Sequence, residues 1–451
     1  MRKRISAFFS VLAAIVLLTV PASAASSGST LKIICADAGQ VIFTPPGSTQ
    51  YAYRYGPAIL IDGDRIDIWA SAPPLVSNGV RYGNDSIEYI RSTDGGKTWT
   101  EWKTVLYPTL NSEDQWSTCD PGAFKYGDYY YVGYTGSPEF RTNPDKEKQV
   151  NNLFIARAKN PEGPYEKWNG NGWGGDPYAI TRYSGDGVGC SMPSFTVKGD
   201  TLYMYYVDQT HPDQDWNSEG NISVSTFSLK DPNWPGNELS NKMCENKPEE
   251  VRYCPDIDKF IGFQLKGGWD YDSYVEIYES TDGVNFTKTS SFRNNFPHYA
   301  HNIGISGNNL GQLDLSIQNY IGTAYTPTGV EAWWGHWHTQ LIPLYIREEQ
   351  PSPTTSSQPS GSTDSSSRKP TTSSIGSTDG KSSETEVSEP QNSNIESTVS
   401  DNKDKDKEVN NKTEQQEETS YLWLYIVIGA VVVLAGAGTA VYFLVIKKKH
   451  V

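Results

Sequence analysis

The stretch Pro121-Gly-Ala-Phe-Lys-Tyr-Gly-Asp-Tyr-Tyr-Tyr-Val-Gly-Tyr134 reads as an alternating apolar strand, a Gly-Asp turn and a second strand rich in aromatics. Glycine supplies the positive φ that a tight turn needs, so the stretch predicts a β-hairpin. The same phrase stands upstream as Pro57-Ala-Ile-Leu-Ile-Asp-Gly-Asp-Arg-Ile-Asp-Ile-Trp69. It returns downstream as Pro193-Ser-Phe-Thr-Val-Lys-Gly-Asp-Thr-Leu-Tyr-Met-Tyr-Tyr206. Weaker copies run from Pro255 to Phe263 and from Ile303 to Leu313. Five hairpin phrases spaced by roughly 45–70 residues predict a β-propeller with one four-stranded blade per repeat.

The copies lay out blades over about residues 55–107, 119–168, 190–229, 253–291 and 302–346. A stray strand at Leu31–Phe43 is left over, and it is expected to complete the sheet of the last blade. Closure of that kind removes an exposed edge. The predicted fold class is all-β: a five-bladed β-propeller ectodomain, then a disordered stalk and a single C-terminal transmembrane helix.

The ends of the chain set the expected organisation. Residues 1–24 read as a secretory signal peptide, with Met1-Arg-Lys-Arg4, an apolar run from Ile5 to Val20 and the small residues Ala22-Ser-Ala24. Residues 25–347 form the propeller domain. Residues 348–420 are a linker of Ser, Thr, Asn, Gln and charged residues, too poor in apolar groups to fold. Residues 421–446 carry no charge, and at about 1.5 Å per residue they can cross a bilayer. Tyr421, Trp423 and Tyr425 suit one interface, and Lys447-Lys-Lys449 holds the 447–451 tail in the cytoplasm. A single-pass cell-membrane protein with its propeller outside, as on a Gram-positive bacterial surface, is expected.

The formal net charge is −15, which makes nucleic acid a poor partner. Trp and Tyr, 13 and 28 in number, outweigh the 14 Phe. Such rings stack on the apolar faces of sugars, so carbohydrate is the expected partner. Blade packing accounts for the same bias equally well. Cys35, Cys119, Cys190, Cys244 and Cys254 are odd in number, so one or two disulfides fit and at least one thiol stays unpaired. No short Cys-x-x-Cys spacing suggests a metal site. No cofactor is expected, with a structural calcium left open.

Ser92-Thr-Asp-Gly-Gly-Lys-Thr-Trp99 resembles the Asp-box of sialidases and related propellers, and Ser280-Thr-Asp-Gly-Val-Asn-Phe286 is a near copy. Asn160-Pro-Glu-Gly-Pro-Tyr-Glu-Lys-Trp168, Asp120–Tyr134 and Trp334-Gly-His-Trp337 resemble segments of glycoside hydrolase family 43 and its five-bladed relatives. The family 43 pattern implies an Asp, an Asp and a Glu before the first three inner strands. This chain has Gly56, Asp120 and Met192 there. The sialidase pattern fits Tyr53-Arg54-Tyr-Gly-Pro57 followed by Arg81-Tyr-Gly-Asn-Asp85. By that resemblance Arg54 would hold an anionic group and Asp85 would act as general acid/base.

Residues just before each inner strand are expected to face a central funnel, with the loops between second and third strands at its rim. The catalytic candidates are Asp120, Asp85 and Asp208. The substrate-binding candidates are Arg54, Arg252, His301, Asn302, Trp269 and Trp334. Two functions stay open: a propeller-type glycoside hydrolase acting on a polysaccharide or glycan, and a non-catalytic glycan-binding or adhesive surface module.

Overall fold

The computed structural model describes residues 29–46, 52–143, 146–183, 188–211, 220–327 and 336–349. The expected signal peptide, transmembrane span and tail lie outside these residues, as do Trp334 and nearly all of the 348–420 linker. Every regular element among the described residues is a strand. Two strands lead in, β1 (Thr30–Cys35) and β2 (Gln40–Phe43). Blade 1 holds β3 (Tyr55–Asp62), β4 (Arg65–Ala72), a hairpin of β5 (Leu75–Ser77) and β6 (Val80–Tyr82), then β7 (Ser86–Ser92) and β8 (Lys103–Leu106). Blade 2 holds β9 (Ser117–Tyr126), β10 (Tyr129–Ser137), a hairpin of β11 (Phe140–Asn143) and β12 (Lys146–Gln149), then β13 (Asn152–Ala158) and β14 (Glu166–Lys167). Blade 3 is β15 (Gly189–Lys198), β16 (Thr201–Gln209), β17 (Asn221–Ser228) and β18 (Glu238–Met243). Blade 4 is β19 (Glu250–Cys254), β20 (Lys259–Lys266), β21 (Tyr274–Ser280) and β22 (Thr287–Phe292). Blade 5 is β23 (Ala300–Gly307), β24 (Asn319–Tyr325) and β25 (His338–Glu349).

Blade 5 is completed from the other end of the domain. β1 pairs antiparallel with β25, Ile33 opposite Ile346, and β2 pairs with the start of β25, Gln40 opposite Leu341. β25 therefore runs to Glu349, past the boundary expected at residue 347, because Glu348 and Glu349 pair with Leu31 and Thr30. The innermost strands pack in a closed circuit, β3 on β9, β9 on β15, β15 on β19, β19 on β23 and β23 back on β3. At the last junction β23 and β3 form a short parallel ladder, Ser306 opposite Ile59.

The Gly-Asp turns behave as read. Gly63, Gly127 and Gly199 all have positive φ, with open space where a Cβ would stand, so each is required for its backbone angle and not for room. Blade 4 corrects the reading. Pro255 does not open an inner strand; it lies in the four-residue turn after β19. The true inner strand is the short, charged Glu250-Val-Arg-Tyr-Cys254, whose alternation is too brief to read as a core strand. Blade 3 also reaches further than expected, because β18 is exposed along its length and lacks apolar periodicity.

Apolar wedges fill the gaps between blades. Trp69, Tyr89, Val132 and Phe154 pack blade 1 on blade 2, and Phe124, Tyr131, Phe195 and Met204 pack blade 2 on blade 3. Tyr205, Phe260 and Phe286 fill the next gap, Phe263, Ile277, Ile305 and Ile321 the one after, and Ile59, Ile68, Ile90 and Leu341 the junction of blades 5 and 1. The turns at Ser92–Trp99 and Ser280–Phe286 lie between third and fourth strands. In the first, Asp94 accepts from the Lys97 and Thr98 amides (3.1 and 2.9 Å) and Ser92 Oγ accepts from Gly96 N (2.8 Å). These bonds, led by the Thr98 hydroxyl, hold Asp94 down to about 2.

All five cysteines are buried free thiols, which resolves the disulfide question left open by their count. Burial pushes Cys35, Cys244 and Cys254 up to about 12, so none presents a thiolate near neutrality. Native protein is expected to resist a chromogenic disulfide reagent, and denatured protein to release five thiols per chain. A titre of three or fewer in denaturant without reductant would reveal a disulfide instead.

Strand direction sets which loops meet at the candidate site. Each inner strand starts where its blade's second strand ends. Loops from second to third strands and from one blade to the next therefore share the face at which the inner strands begin.

Candidate functional site at the funnel mouth

One position repeats in four inner strands. Gly56, Asp120, Met192 and Asn302 have φ of 57°, 48°, 56° and 53°. At each the ladder register slips, between Tyr55 and Ala58, at Cys119–Gly122, between Ser191 and Ser194, and between His301 and Ile303. These are β-bulges, which break the in-out alternation and re-aim a side chain. A left-handed backbone costs a non-glycine residue roughly 1–2 kcal/mol, so three such residues at one level are held by their surroundings. The bulged amides are tied to the preceding blade: Asp120 N donates to Ser71 Oγ (2.7 Å) and Met192 N to Thr135 Oγ1 (2.9 Å).

The bulges bring distant residues together. Asn302 Nδ2 of blade 5 donates to Asp120 Oδ1 of blade 2 at 3.2 Å. Gly56 of blade 1 lies between them; a Cβ there would stand 3.5 Å from both polar atoms. Asp120 also accepts from Cys119 Sγ at 3.5 Å and from the Thr135 hydroxyl. Burial pushes its carboxyl up to about 6, against the pull of these donors and with a push from Asp85. Part of Asp120 still reaches the surface.

Beside this centre, His301 packs among Tyr55, Trp269 and Trp337, with ring centroids at 5.4, 4.5 and 4.2 Å. Burial pushes His301 down to about 3, so it is neutral at physiological pH. Trp269 is exposed, in a left-handed conformation (φ 71°), and its amide donates to Ala300 O at 2.9 Å.

Asp85 is buried in the wall between blades 1 and 2, close enough to Asp120 to push on it, and accepts from Tyr53 OH (2.5 Å), Ser117 Oγ (2.8 Å) and Asn84 Nδ2 (3.3 Å); burial raises its carboxyl against these donors. Other expected site residues lie elsewhere. Arg54 turns away from the funnel. It pairs with Glu88 at 2.5 Å and lies over the Phe43 ring at 4.5 Å, at the junction of blades 1 and 5. The bulge at Gly56 is the physical reason, since it flips the alternation that the sialidase-like spacing assumes. Arg252 is mid-strand and buried, bonded to Ile305 O (2.6 Å), Ser194 Oγ (2.7 Å) and Glu250 (2.8 Å). It pins blades 3, 4 and 5 together. Asp208 accepts from Thr210 N (3.1 Å) and Ser223 Oγ (3.0 Å), closing the end of its own blade.

Of the expected set, Asp120, Asn302, His301 and Trp269 form one neighbourhood. Sequence reading missed Ser71 and Thr135, which hold the bulges, and Glu250, which holds Arg252. A Ser or Thr near the end of a second strand, before a Pro-marked inner strand, was the available signal. Among the described residues, no group of three His, Cys, Asp or Glu side chains is arranged to hold a metal ion.

No family model matches this chain, and no curated protein sequence matches it. Solved structures of similar outline include glycoside hydrolases. The α-L-arabinofuranosidase PaAbf62A from Podospora anserina, in complex with cellotriose, is 11% identical with a TM-score of 0.45, over 71% of this chain and 98% of that one. Zg3597, a family 117 glycoside hydrolase from Zobellia galactanivorans, is 15% identical with a TM-score of 0.45, over 70% and 90%. The GH43_1 enzyme from Xanthomonas citri, complexed with xylotriose, is 13% identical with a TM-score of 0.46, over 67% and 90%. The five-bladed arrangement itself rests on the strand order and ring closure above.

Proposed function

We propose that this protein is a cell-surface glycan-binding propeller whose funnel mouth holds a saccharide against Asp120 and Asn302. The observation that carries this reading is the make-up of the bulge ring. Among Gly56, Asp120, Met192 and Asn302, one side chain is ionisable. Glycoside hydrolysis usually takes two carboxyl groups, roughly 5–10 Å apart, on either side of the bond. Glycine offers no group, and methionine cannot donate a proton. Asp85 is buried and already holds three donors. Among the described residues, what remains suits recognition: Asp120 and Asn302 can bond sugar hydroxyls, and the exposed Trp269 offers a face for stacking. The signal-like residues 1–24, the linker 348–420 and the apolar run 421–446 support a place on the cell surface.

A hydrolase reading draws on two carboxyls: Asp120 sits at about 6 and so can hold a proton near neutrality, and burial also raises Asp85, which lies close enough to push on Asp120. The test is to measure glycan-array binding and hydrolysis of aryl glycosides and polysaccharides by the full-length protein, with and without Asp120→Asn. Binding without hydrolysis is expected, weakened about tenfold or more by the substitution, a loss of about 1.4 kcal/mol. Unchanged binding by Asp120→Asn would place the site elsewhere, and hydrolysis lost with Asp120→Asn would make this an enzyme.

The same substitution has a stability signature. The folded state raises the Asp120 carboxyl from 3.8 to about 6, so the fold binds its proton more readily than the unfolded chain. Its contribution is therefore greatest below pH ~4, declines as pH rises to ~6 and is level above. Asp120→Asn is expected to remove this decline and to raise stability at pH 7 by roughly 1–3 kcal/mol. Parallel pH profiles of unfolding for the two proteins would contradict it.

A further inference from the structure

We infer that the funnel takes an internal stretch of a long glycan chain, which crosses the mouth from Trp269 to a track of exposed rings above blades 1 and 2. This rests on the funnel reading and adds the ligand's length and path. The track begins with the half-buried Tyr82, at the end of the β5–β6 hairpin, set edge-on to the exposed Tyr107 at 5.2 Å. Tyr107 and Leu110 follow β8 in the loop to blade 2, and Tyr178 lies in the loop from β14 to β15. Their exposures are 42%, 46% and 48%, high for large apolar side chains.

The three segments are fastened to one another. The hairpin's exit is held by Asn84 N on Trp116 O (2.6 Å). Loop 107–114 is anchored by Lys167, whose ammonium donates to Tyr107 O (2.6 Å) and to Asp114 (2.5 Å). It reaches the third segment through Glu113, paired with Arg182 at 2.6 Å, and that guanidinium lies over the Tyr178 ring at 4.4 Å. All three segments join either second to third strands or one blade to the next, so each begins and ends toward the funnel face. They are also continuous with the site. Ser117, just after the loop, bonds Asp85 (2.8 Å) and neighbours Cys119, which touches Asp120.

Blade order fixes the path. In a five-membered ring, blade 2 stands opposite the junction of blades 4 and 5. Trp269 of blade 4, packed on His301 and Trp337 of blade 5, occupies that junction. A line from Trp269 to the tyrosines therefore passes over Asp120 and Asn302. A mono- or disaccharide reaches one side only, whereas a longer chain engages both. Tyrosine faces, bordered here by Arg182 and Glu113, suit the mixed apolar and hydroxyl surface of a saccharide better than a purely aliphatic partner.

The experiment measures affinity of the full-length protein for xylobiose, xylotriose and xylohexaose and for the matching cello-oligosaccharides. Wild type is compared with Tyr107→Ala/Tyr178→Ala and with Asp120→Asn. The expected result is affinity rising about tenfold or more with chain length in the wild type. The double tyrosine variant loses that rise but binds the shortest sugar as before. Asp120→Asn weakens every length. Exposed positions keep the fold intact, which a melting curve checks. Affinity independent of length, as a protein-docking surface would leave it, or a tyrosine variant indistinguishable from wild type, overturns the track and leaves the funnel reading standing. Absence of binding to both series and to every member of the glycan array overturns both.

Discussion

Replacing Lys167 by methionine is expected to destabilise the protein by about 3–5 kcal/mol, the penalty for leaving a buried charge without its partner. Lys167 Nζ donates to Asp114 (2.5 Å), Tyr107 O (2.6 Å) and Thr109 Oγ1 (3.0 Å), so all three of its protons are engaged. Asp114 is fully buried and also accepts from Tyr134 OH, Thr109 N and Ser112 Oγ, each at 2.9 Å. Burial alone lowers the lysine's proton affinity, and the Asp114 charge restores part of it. Methionine matches the side chain in length and loses only the cation. Asp114 is then left in a dry site without its cation. Urea unfolding at pH 7 measures the deficit. A deficit below about 1 kcal/mol at pH 7 would mean that water or a rearranged donor replaces the lysine. Because Lys167 also anchors Tyr107, the variant should blunt the chain-length dependence of glycan binding.

Gly304→Ala is expected to cost about 3 kcal/mol or more, at the upper end of what overpacking does. An added Cβ would lie 1.5 Å from the Pro57 carbonyl oxygen and 2.7 Å from its carbon. Both are backbone atoms of the neighbouring blade and cannot rotate away. The clash falls where β23 meets β3, the junction that closes the ring. Gly122 occupies the same register in blade 2, where an added Cβ would stand 1.9 Å from Pro193 O, and Gly122→Ala should behave alike. Gly127→Ala is the control. It has open space but positive φ, so about 1–2 kcal/mol is expected. Thermal unfolding of the three variants decides the point. If Gly304→Ala costs no more than Gly127→Ala, the blades do not approach so closely.

The bulge ring explains why function was harder to read than fold. Asp120 and Asn302 stand out before their strands, but Arg54 and Asp85 were read from spacing along one blade. Spacing cannot tell which way a side chain points once a bulge has shifted the two-residue alternation. Arg252 was misplaced for a related reason. Blade 4 lacks the Gly-Asp turn, and its inner strand is too short to show a period.

Hairpins, turn glycines, apolar alternation and the leftover Leu31–Phe43 strand are local signals, set by residues a few positions apart. The amino-acid order alone therefore determined an all-β chain of repeated hairpins and the number of its blades. The site depends on contacts that no local pattern encodes. Asn302 meets Asp120 across 182 residues of chain, and Glu113 meets Arg182 across 69. Such pairs exist because the wedges between blades force the ring to close, and closure decides which of many plausible carboxylates and rings face the funnel.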